Sequence, residues 1–439
     1  MLNSMKNMWK VKPLRKKILL TLGMIAVLRL AAQIPIPGIS LEYFKLWYEQ
    51  NIDVFNILSS FTGGSFERFS LLCLGITPYI TASIIIQLLT IVIPKLEEIQ
   101  KDGEYGRRKM EWVNRWTALG LAVVESAAMV IGFTKSGIFQ EMNWIKGILA
   151  IVCMISGSVL CIVIGELIKK KGVGNGISIV LMVNILAGLP GDLGTLFENF
   201  VFNRKPAKAI LASAVIVAVL IATVMLVIVF NESQRRIPVR YSRKAQTSRN
   251  STAQNSFIPL KVNPAGVVPV IFASSIFAVP QIIASVARKG YGDGISAWIL
   301  NATNQNNWFN PLEPSYTVGV LFYIAIVVFF GYFYTSITFN PMEVADNIRK
   351  QGGMIPGIRP GKTTELYLVS VTNNLVIIGS VGLLIVVLIP IVFSGIFHAQ
   401  ISLGGTSIVI IVGVILETIQ QIDSQMLVRN YEGFLLGGK

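Results

Sequence analysis

Residues 75–89 read GITPYITASIIIQLL. The stretch is apolar enough to enter a membrane as a helix, yet Gly75 and Pro78 break it near its start and Thr77, Thr81, Ser83 and Gln87 are scattered along it. A simple anchor needs neither feature. Proline removes a backbone donor, and polar side chains in hydrocarbon cost free energy unless they are satisfied. The pattern also recurs: Gly75-x-x-Pro78-x-Ile80-x-Ala82-Ser83 returns as Gly266-x-x-Pro269-x-Ile271-x-Ala273-Ser274.

Outward from this stretch, the chain is built for lipid. Of its 439 residues, 53% are hydrophobic and 14% charged, against about 25% charged in a soluble domain. A span takes about 20 apolar residues to cross a core of roughly 30 Å. Ten candidates begin near Ile18, Leu71, Thr117, Gly147, Gly176, Ala207, Ala265, Val318, Leu368 and Thr406. The expected fold is all-α and polytopic, with ten transmembrane helices in an N-terminal half over residues 1–200 and a C-terminal half over 201–439. Both copies of the motif fall in the second span of their half. Five spans per half is odd, so the second half enters the membrane with opposite polarity. Inverted repeats of this kind place their working site near the midplane between the halves, and the two motif copies are the first candidates to line it.

The net charge of +15 would suit a nucleic-acid binder, but position matters more than the sum. With the N-terminus inside, 28 of the 38 Lys and Arg residues fall on segments 1–17, 95–116, 168–174, 231–261, 339–366 and 425–439; nine fall on outside loops, and Arg29 lies in a span. The positive-inside rule then places both termini in the cytosol. The first apolar run lacks a small-residue cleavage site, so no cleavable signal peptide is expected.

Residues able to do chemistry are sparse. Cys73, Cys153 and Cys161 sit in apolar spans at spacings that suit neither a disulfide framework nor a metal site, and read as small buried hydrophobes. The sole histidine, His398, falls in an outside loop, which excludes a histidine proton relay and a Ser/His/Asp set. GVGNG at 172–176 opens a span without the preceding strand or the Gly-Lys-Ser/Thr ending of a phosphate loop, and reads as a tight turn. Arg29, Glu125 and Glu166 are the main ionisable groups within spans, with Glu417 and Asp423 near the inner end of the last. Such groups invite a functional reading; a structural ion pair or a snorkelled side chain is the plainer one. The set is thin for a proton- or sodium-coupled pump, and no enzyme activity, metal or cofactor is expected.

Three connecting segments stand out. Residues 51–70 are too short and too polar to cross and contain the pair Gly63-Gly64; they read either as a re-entrant piece sheltered by protein or as an ordinary outer loop. Loop 231–261 is long and basic around Tyr241, as on a protruding hairpin or arm, and loop 339–366 carries the turn-rich PGIRPG at 356–361. These two inside loops read as solvated faces that attract anionic lipid or as a docking surface for a large, RNA-containing partner.

Together, GITPYITASIIIQLL, GEYGRRK at 103–109, GVGNGIS at 172–178 with AGLP at 187–190, PLKVNPAGVVPVIFASS at 259–275, FNPMEVADN at 339–347, PGIRPGKTT at 356–364 and GGTS at 404–407 closely resemble the SecY/Sec61α family of protein-translocase channels, over nearly the whole chain. The resemblance implies a ten-helix channel in the bacterial cytoplasmic membrane. Such a channel passes unfolded secretory polypeptides and releases hydrophobic segments sideways into lipid. It implies an aliphatic pore ring at Ile76, Ile80, Ile177, Leu181, Ile271 and Ile410. A plug is implied over about residues 54–68, including Asn56, Phe61, Gly63, Gly64 and Arg68. The implied lateral gate sets Thr81, Ser83, Ile84 and Gln87 of span 2 against Ser275 and Val279 of span 7. By the same match, Arg359 would contact the motor ATPase SecA, and Arg243, Lys244 and Arg249 would contact SecA or ribosomal RNA. The implied partners are the small membrane subunits SecE and SecG, SecA, the ribosome, secretory preproteins, nascent membrane proteins and anionic lipids. A secondary transporter of a small solute would share the inverted repeat and broken helices, but it leaves the aliphatic ring and the oversized basic loops unexplained.

Overall fold

The computed structural model describes residues 11–37, 41–50, 59–135, 144–200, 206–241, 256–287, 294–309, 313–397 and 405–436. A helix lies on each of the ten apolar runs. The N-terminal half holds α1 (Lys12–Ala31), α2 (Leu41–Gln50), α3 (Thr77–Val92), α4 (Pro94–Lys101), α5 (Gly103–Lys135), α6 (Trp144–Lys171) and α7 (Gly176–Phe200). The C-terminal half holds α8 (Pro206–Glu232), α9 (Val268–Ala287), α10 (Ile295–Thr303), α11 (Val318–Thr338), α12 (Pro341–Lys350), α13 (Lys362–Phe397) and α14 (Gly405–Leu436). Among the described residues, six helical stretches are long and apolar enough to cross a membrane unaided, and α3 with α4 makes a seventh. The apolar parts of α7 and α9 are shorter, Gly176–Gly191 and Val268–Pro280.

Local chemistry explains the breaks. Ile93 is extended (φ −107°, ψ 104°) because a residue before proline is driven out of the helical region. With Pro94 next in line, α3 ends at Val92 and α4 departs at 108°. The two motif copies open their helices alike. Gly75 (φ +53°) and Gly266 (φ +62°) both take the left-handed conformation, and each helix begins two residues later, at Thr77 and Val268.

A small antiparallel sheet joins the otherwise helical fold. Strands β1 (Gln234–Tyr241), β2 (Ser256–Lys261) and β3 (Gly353–Met354) lie in the order β2-β1-β3. Gln234 faces Lys261 and Val239 faces Ser256 along the hairpin, while Arg240 and Tyr241 pair with Met354 and Gly353. The alternation of a one-sided strand is present: Ile237 and Val239 are buried, whereas Arg236, Pro238 and Arg240 are exposed. They pack with Leu260, with Ala345 and Ile348 of α12, and with Leu368 of α13. The two inside loops, read separately from sequence, are thus one folded unit.

Three larger apolar clusters hold the helices. A central one draws Leu28, Ile80, Cys161, Leu181, Ile271, Phe330 and Ile410 from seven different helices. A second is aromatic and gathers Phe44, Tyr48, Phe66, Phe69 and Phe133, with the Phe44 and Phe69 centroids 4.7 Å apart. A third surrounds Phe277, Trp308 and Tyr323 in the C-terminal half. Cys73 and Cys161 are buried as expected, and Cys153 is half-buried. Glu166 pairs with Arg115 and, at 3.9 Å, with Lys170, and Lys169 reaches Glu111 at 2.6 Å. The structural reading of Glu166 therefore holds. Glu125 is half-buried on α5, and His398 lies outside the described residues.

Candidate functional site

The central cluster brings together every residue assigned to the ring. Ile76, Ile80, Leu181, Ile271 and Ile410 are buried, and Ile177 is partly buried against them. They come from the start of α3, from α7, from α9 and from α14. Spacings of four residues, 76 to 80 and 177 to 181, put each pair on one helical face. Ile80 and Ile271 hold the same place in the two motif copies and meet in this cluster. These six side chains present methyl and methylene groups alone to the cluster.

Residues 59–70 fold inward on this cluster. Residues 59–62 make a helical turn, and Phe61 joins the central cluster. Beyond it the chain is tied to itself. Thr62 Oγ1 donates to the Ser59 carbonyl (3.2 Å) and accepts from the Phe66 amide (3.2 Å), and Ser70 Oγ donates to the Ser65 carbonyl (3.2 Å). The Ile36 amide bonds to the Phe69 carbonyl (3.1 Å) and the Leu71 amide to the Ile34 carbonyl (2.8 Å), while the Phe66 and Phe69 rings sit in the aromatic cluster. Arg68 is exposed and donates to Gln33. Asn56 lies outside the described residues.

Three helices that supply the ring also touch this segment, each beside its ring residue. On α7, one turn past Leu181, the Asn184 carbonyl oxygen would lie 2.2 Å from a Cβ placed on Gly63. On α14, one turn before Ile410, Ser407 Oγ lies 3.3 Å from Ser60 Oγ. Ahead of α3, next to Ile76, a Cβ on Gly75 would stand 3.4 Å from the Thr62 methyl. Given the span directions expected from sequence, all three contacts fall on the side of the ring away from the basic loops. Gly63 (φ +62°) is required twice over, by its left-handed backbone and by its closeness to α7. Gly64 (φ +76°) is required by conformation alone.

On the seam, α3 packs against α9 and α5 packs against both. The joining surface is apolar: Ile80 and Ile84 share the central cluster with Ile271 and Phe272, and Phe272 meets Phe330 of α11 edge-on at 5.3 Å. The polar side chains assigned to the gate bond within their own helices. Thr81 donates to the Thr77 carbonyl (3.1 Å), Gln87 Nε2 to Ser83 Oγ (3.3 Å), and Ser275 to the Ile271 carbonyl (2.9 Å). Ser275 is buried, whereas Val279 is 41% exposed.

Below the spans, Arg359 is exposed on a turn shaped by Gly357 (φ +83°) and Gly361 (φ +106°). Its carbonyl accepts from Thr364 Oγ1 at 2.9 Å. Arg243, Lys244 and Arg249 lie outside the described residues, in the stretch linking β1 to β2. Arg236 places its guanidinium 4.9 Å from the Phe257 ring centre. Sequence reading missed Asn184 and the Ser60–Ser407 pair. An asparagine in the apolar run VLMVNILAG was the available signal for the first; nothing local marks the second.

This architecture defines a class: the chain has the fold of protein-conducting channels. It aligns with the solved structure described as "The structure of a protein conducting channel" at a TM-score of 0.62 and 19% identity, covering 94% of this chain and 92% of that one. It aligns likewise with Sec61 in the canine ribosome–channel complex from the endoplasmic reticulum, at a TM-score of 0.60 and 17% identity, covering 94% and 92%. A SecY family profile matches residues 70–419. Protein translocase subunit SecY of Streptomyces scabiei is 38% identical over 450 residues, which cover 99% of this chain and all of that one. The chain belongs to the SecY family.

Proposed function

We infer that this chain is the channel-forming subunit of a protein translocase, and that it conducts unfolded polypeptide through the membrane between its two halves. The observation that carries the reading is the single buried cluster in which the six ring residues from both halves meet, with Phe61 packed on it. In the idle state the collar stays dry and blocks ions. When a chain threads it, the same methyl groups grip by non-directional apolar contact, which does not depend on the sequence in transit. The gate is suited to parting because its polar side chains keep their hydrogen bonds inside each helix. Opening the seam separates apolar surfaces without orphaning those donors, and a hydrophobic segment can replace the lost contacts as it leaves for lipid.

The ten-span, inverted two-half topology with both termini in the cytosol of a bacterium belongs to this reading. So do SecE and SecG as membrane partners and SecA or the ribosome as the source of drive. The sheet unit supports a docking role, because it binds both basic loops into one surface that displays Arg359. A solute transporter is not favoured: what meets at the centre is aliphatic rather than carboxylate. The deciding experiment reconstitutes the chain with its small partner subunits and SecA and follows ATP-dependent entry of a secretory precursor into vesicles. Protease-protected precursor is expected, and its absence where a known translocase works would sink the reading.

A further inference from the structure

The unexplained charge in the central cluster points to a function of its own. Arg29 reaches in from α1, and its Nη2 donates to two acceptors at the same place on α7, the Val183 carbonyl at 3.1 Å and Asn184 Oδ1 at 2.6 Å. Among the described residues no carboxylate pairs with it. Both Arg29 Nε and Asn184 Nδ2 are buried without a partner among the described residues, and Asn184 itself is 1% exposed. A cation at this depth is costly, and with no counter-ion it is a poor device for stability. What Arg29 does accomplish is to tie α7 at the Val183 carbonyl and the Asn184 side chain. The carbonyl of Asn184, one peptide further along α7, is the surface on which Gly63 sits, close enough that even a methyl group on Gly63 would lie 2.2 Å from its oxygen. The Asn184 amide also lies 3.8 Å from the position of a Cβ on Gly75, the residue that borders Thr62 and precedes Ile76.

We propose that Arg29 and Asn184 form a latch for the plug, in which the Asn184 carbonyl is the seat and Arg29, through the Val183 carbonyl and the Asn184 side chain, is the residue that positions it. The inference rests on the reading of residues 59–70 as a plug. The contacts the plug makes with α7 and α14 are a close fit of backbone on backbone at Gly63 and a hydroxyl pair at Ser60 and Ser407. Neither is charged, so the plug is held by shape and can leave without breaking an ion pair. The charge stays behind on the helix side and keeps the seat ready for its return.

The test uses the complete channel with its small membrane partners in planar bilayers, reading idle ion current, together with a Ser60→Cys/Ser407→Cys pair that reports plug position by disulfide formation. Arg29→Met and Asn184→Leu are each expected to raise idle current several-fold and to slow disulfide formation several-fold, with the thermal unfolding midpoint unchanged or higher. Arg29→Lys, which keeps a donor and a charge, is expected to restore most of the seal. The Arg29→Met/Asn184→Leu double variant is expected to leak no more than the singles, since one residue acts through the other. A deletion of residues 59–68 separates the two claims. If the deletion leaks and the latch variants do not, the latch is wrong and the plug stands. If the deletion itself does not leak, the plug reading fails. A lower unfolding midpoint in Arg29→Met with current per channel unchanged would make Arg29 merely structural and overturn the proposal.

Discussion

The helices α3 and α9 open on the same motif, with the same left-handed glycine, and they contribute equivalent isoleucines to one collar. Their surroundings differ. Gly75 is hemmed in by Thr62 and Asn184, whereas a Cβ on Gly266 would meet nothing within 4 Å. Gly266 instead offers its carbonyl to Asn263 Nδ2 at 3.0 Å, and Asn263 turns as well to Asn231 Oδ1 at 3.2 Å, beside the strands of the sheet unit. One sequence motif therefore stands in two settings, with residues 59–62 against the glycine of one copy and the sheet unit beside that of the other. What each copy touches, rather than the motif it carries, sets the two apart.

The sharpest test of the shared part is the collar. Ile80→Asn and Ile271→Asn should each raise idle ion current by about tenfold, because a polar side chain lets water into an apolar constriction. The double variant should fall short of the product of the two, since both residues occupy one cluster and contacting sites do not act independently. Currents that multiplied would show that the copies act apart. At the docking end, Arg359→Glu should reduce SecA-driven translocation by about tenfold through charge reversal at an exposed contact, with assembly intact by pull-down of the small subunits; unchanged transport would remove that role. Gly353→Val probes whether the loops must act as one unit. A Cβ there would stand 2.7 Å from Tyr241 Cε1 and 3.0 Å from Ile348 Cγ2, an overpacking that costs about 1–3 kcal/mol. A loss of SecA-driven transport of about two- to threefold is expected, the larger part of the strain being absorbed by movement of the short strand.

Smaller effects discriminate between the copies. Gly75→Ala and Gly266→Ala should each lower stability by about 1–2 kcal/mol, the strain of a left-handed alanine. Only Gly75→Ala should add a modest leak, because the strained backbone there touches Thr62 and Asn184. Equal leaks from both would dissolve the comparison. Least perturbing of all, cysteines at Thr81 and Val279 should crosslink in the idle protein and stop doing so when the gate is held open. Failure with both thiols reactive would count against the pairing of α3 with α9 as the gate.

Much of this was legible in the sequence because it is written in local terms. The apolar runs and the paired glycines before α3 and α9 each depend on a few neighbouring residues, and each is found where the sequence places it. The ring residues were reached by family motif, and the structure gathers all six into one cluster. The sheet was half legible: the basic run around Tyr241 reads as a protruding hairpin or arm, but β3 is two residues long and has no propensity signal of its own. Val279 was assigned to the seam by motif, yet it is largely exposed beside the buried Ser275.

By itself the sequence determined the all-helical, membrane-spanning class, the order of the apolar runs and the family. Those follow from hydrophobicity, backbone preference and charge, which act over a turn or a span. Only the tertiary structure decided what lies against what. Ser60 meets Ser407 across 347 residues, Arg29 crosses 155 residues to reach Asn184, and β1 joins two loops that sequence treats as separate. Such contacts arise when helices already formed are packed to exclude voids. The partner of a buried polar group is then set by the shape of the whole bundle rather than by its neighbours in the chain.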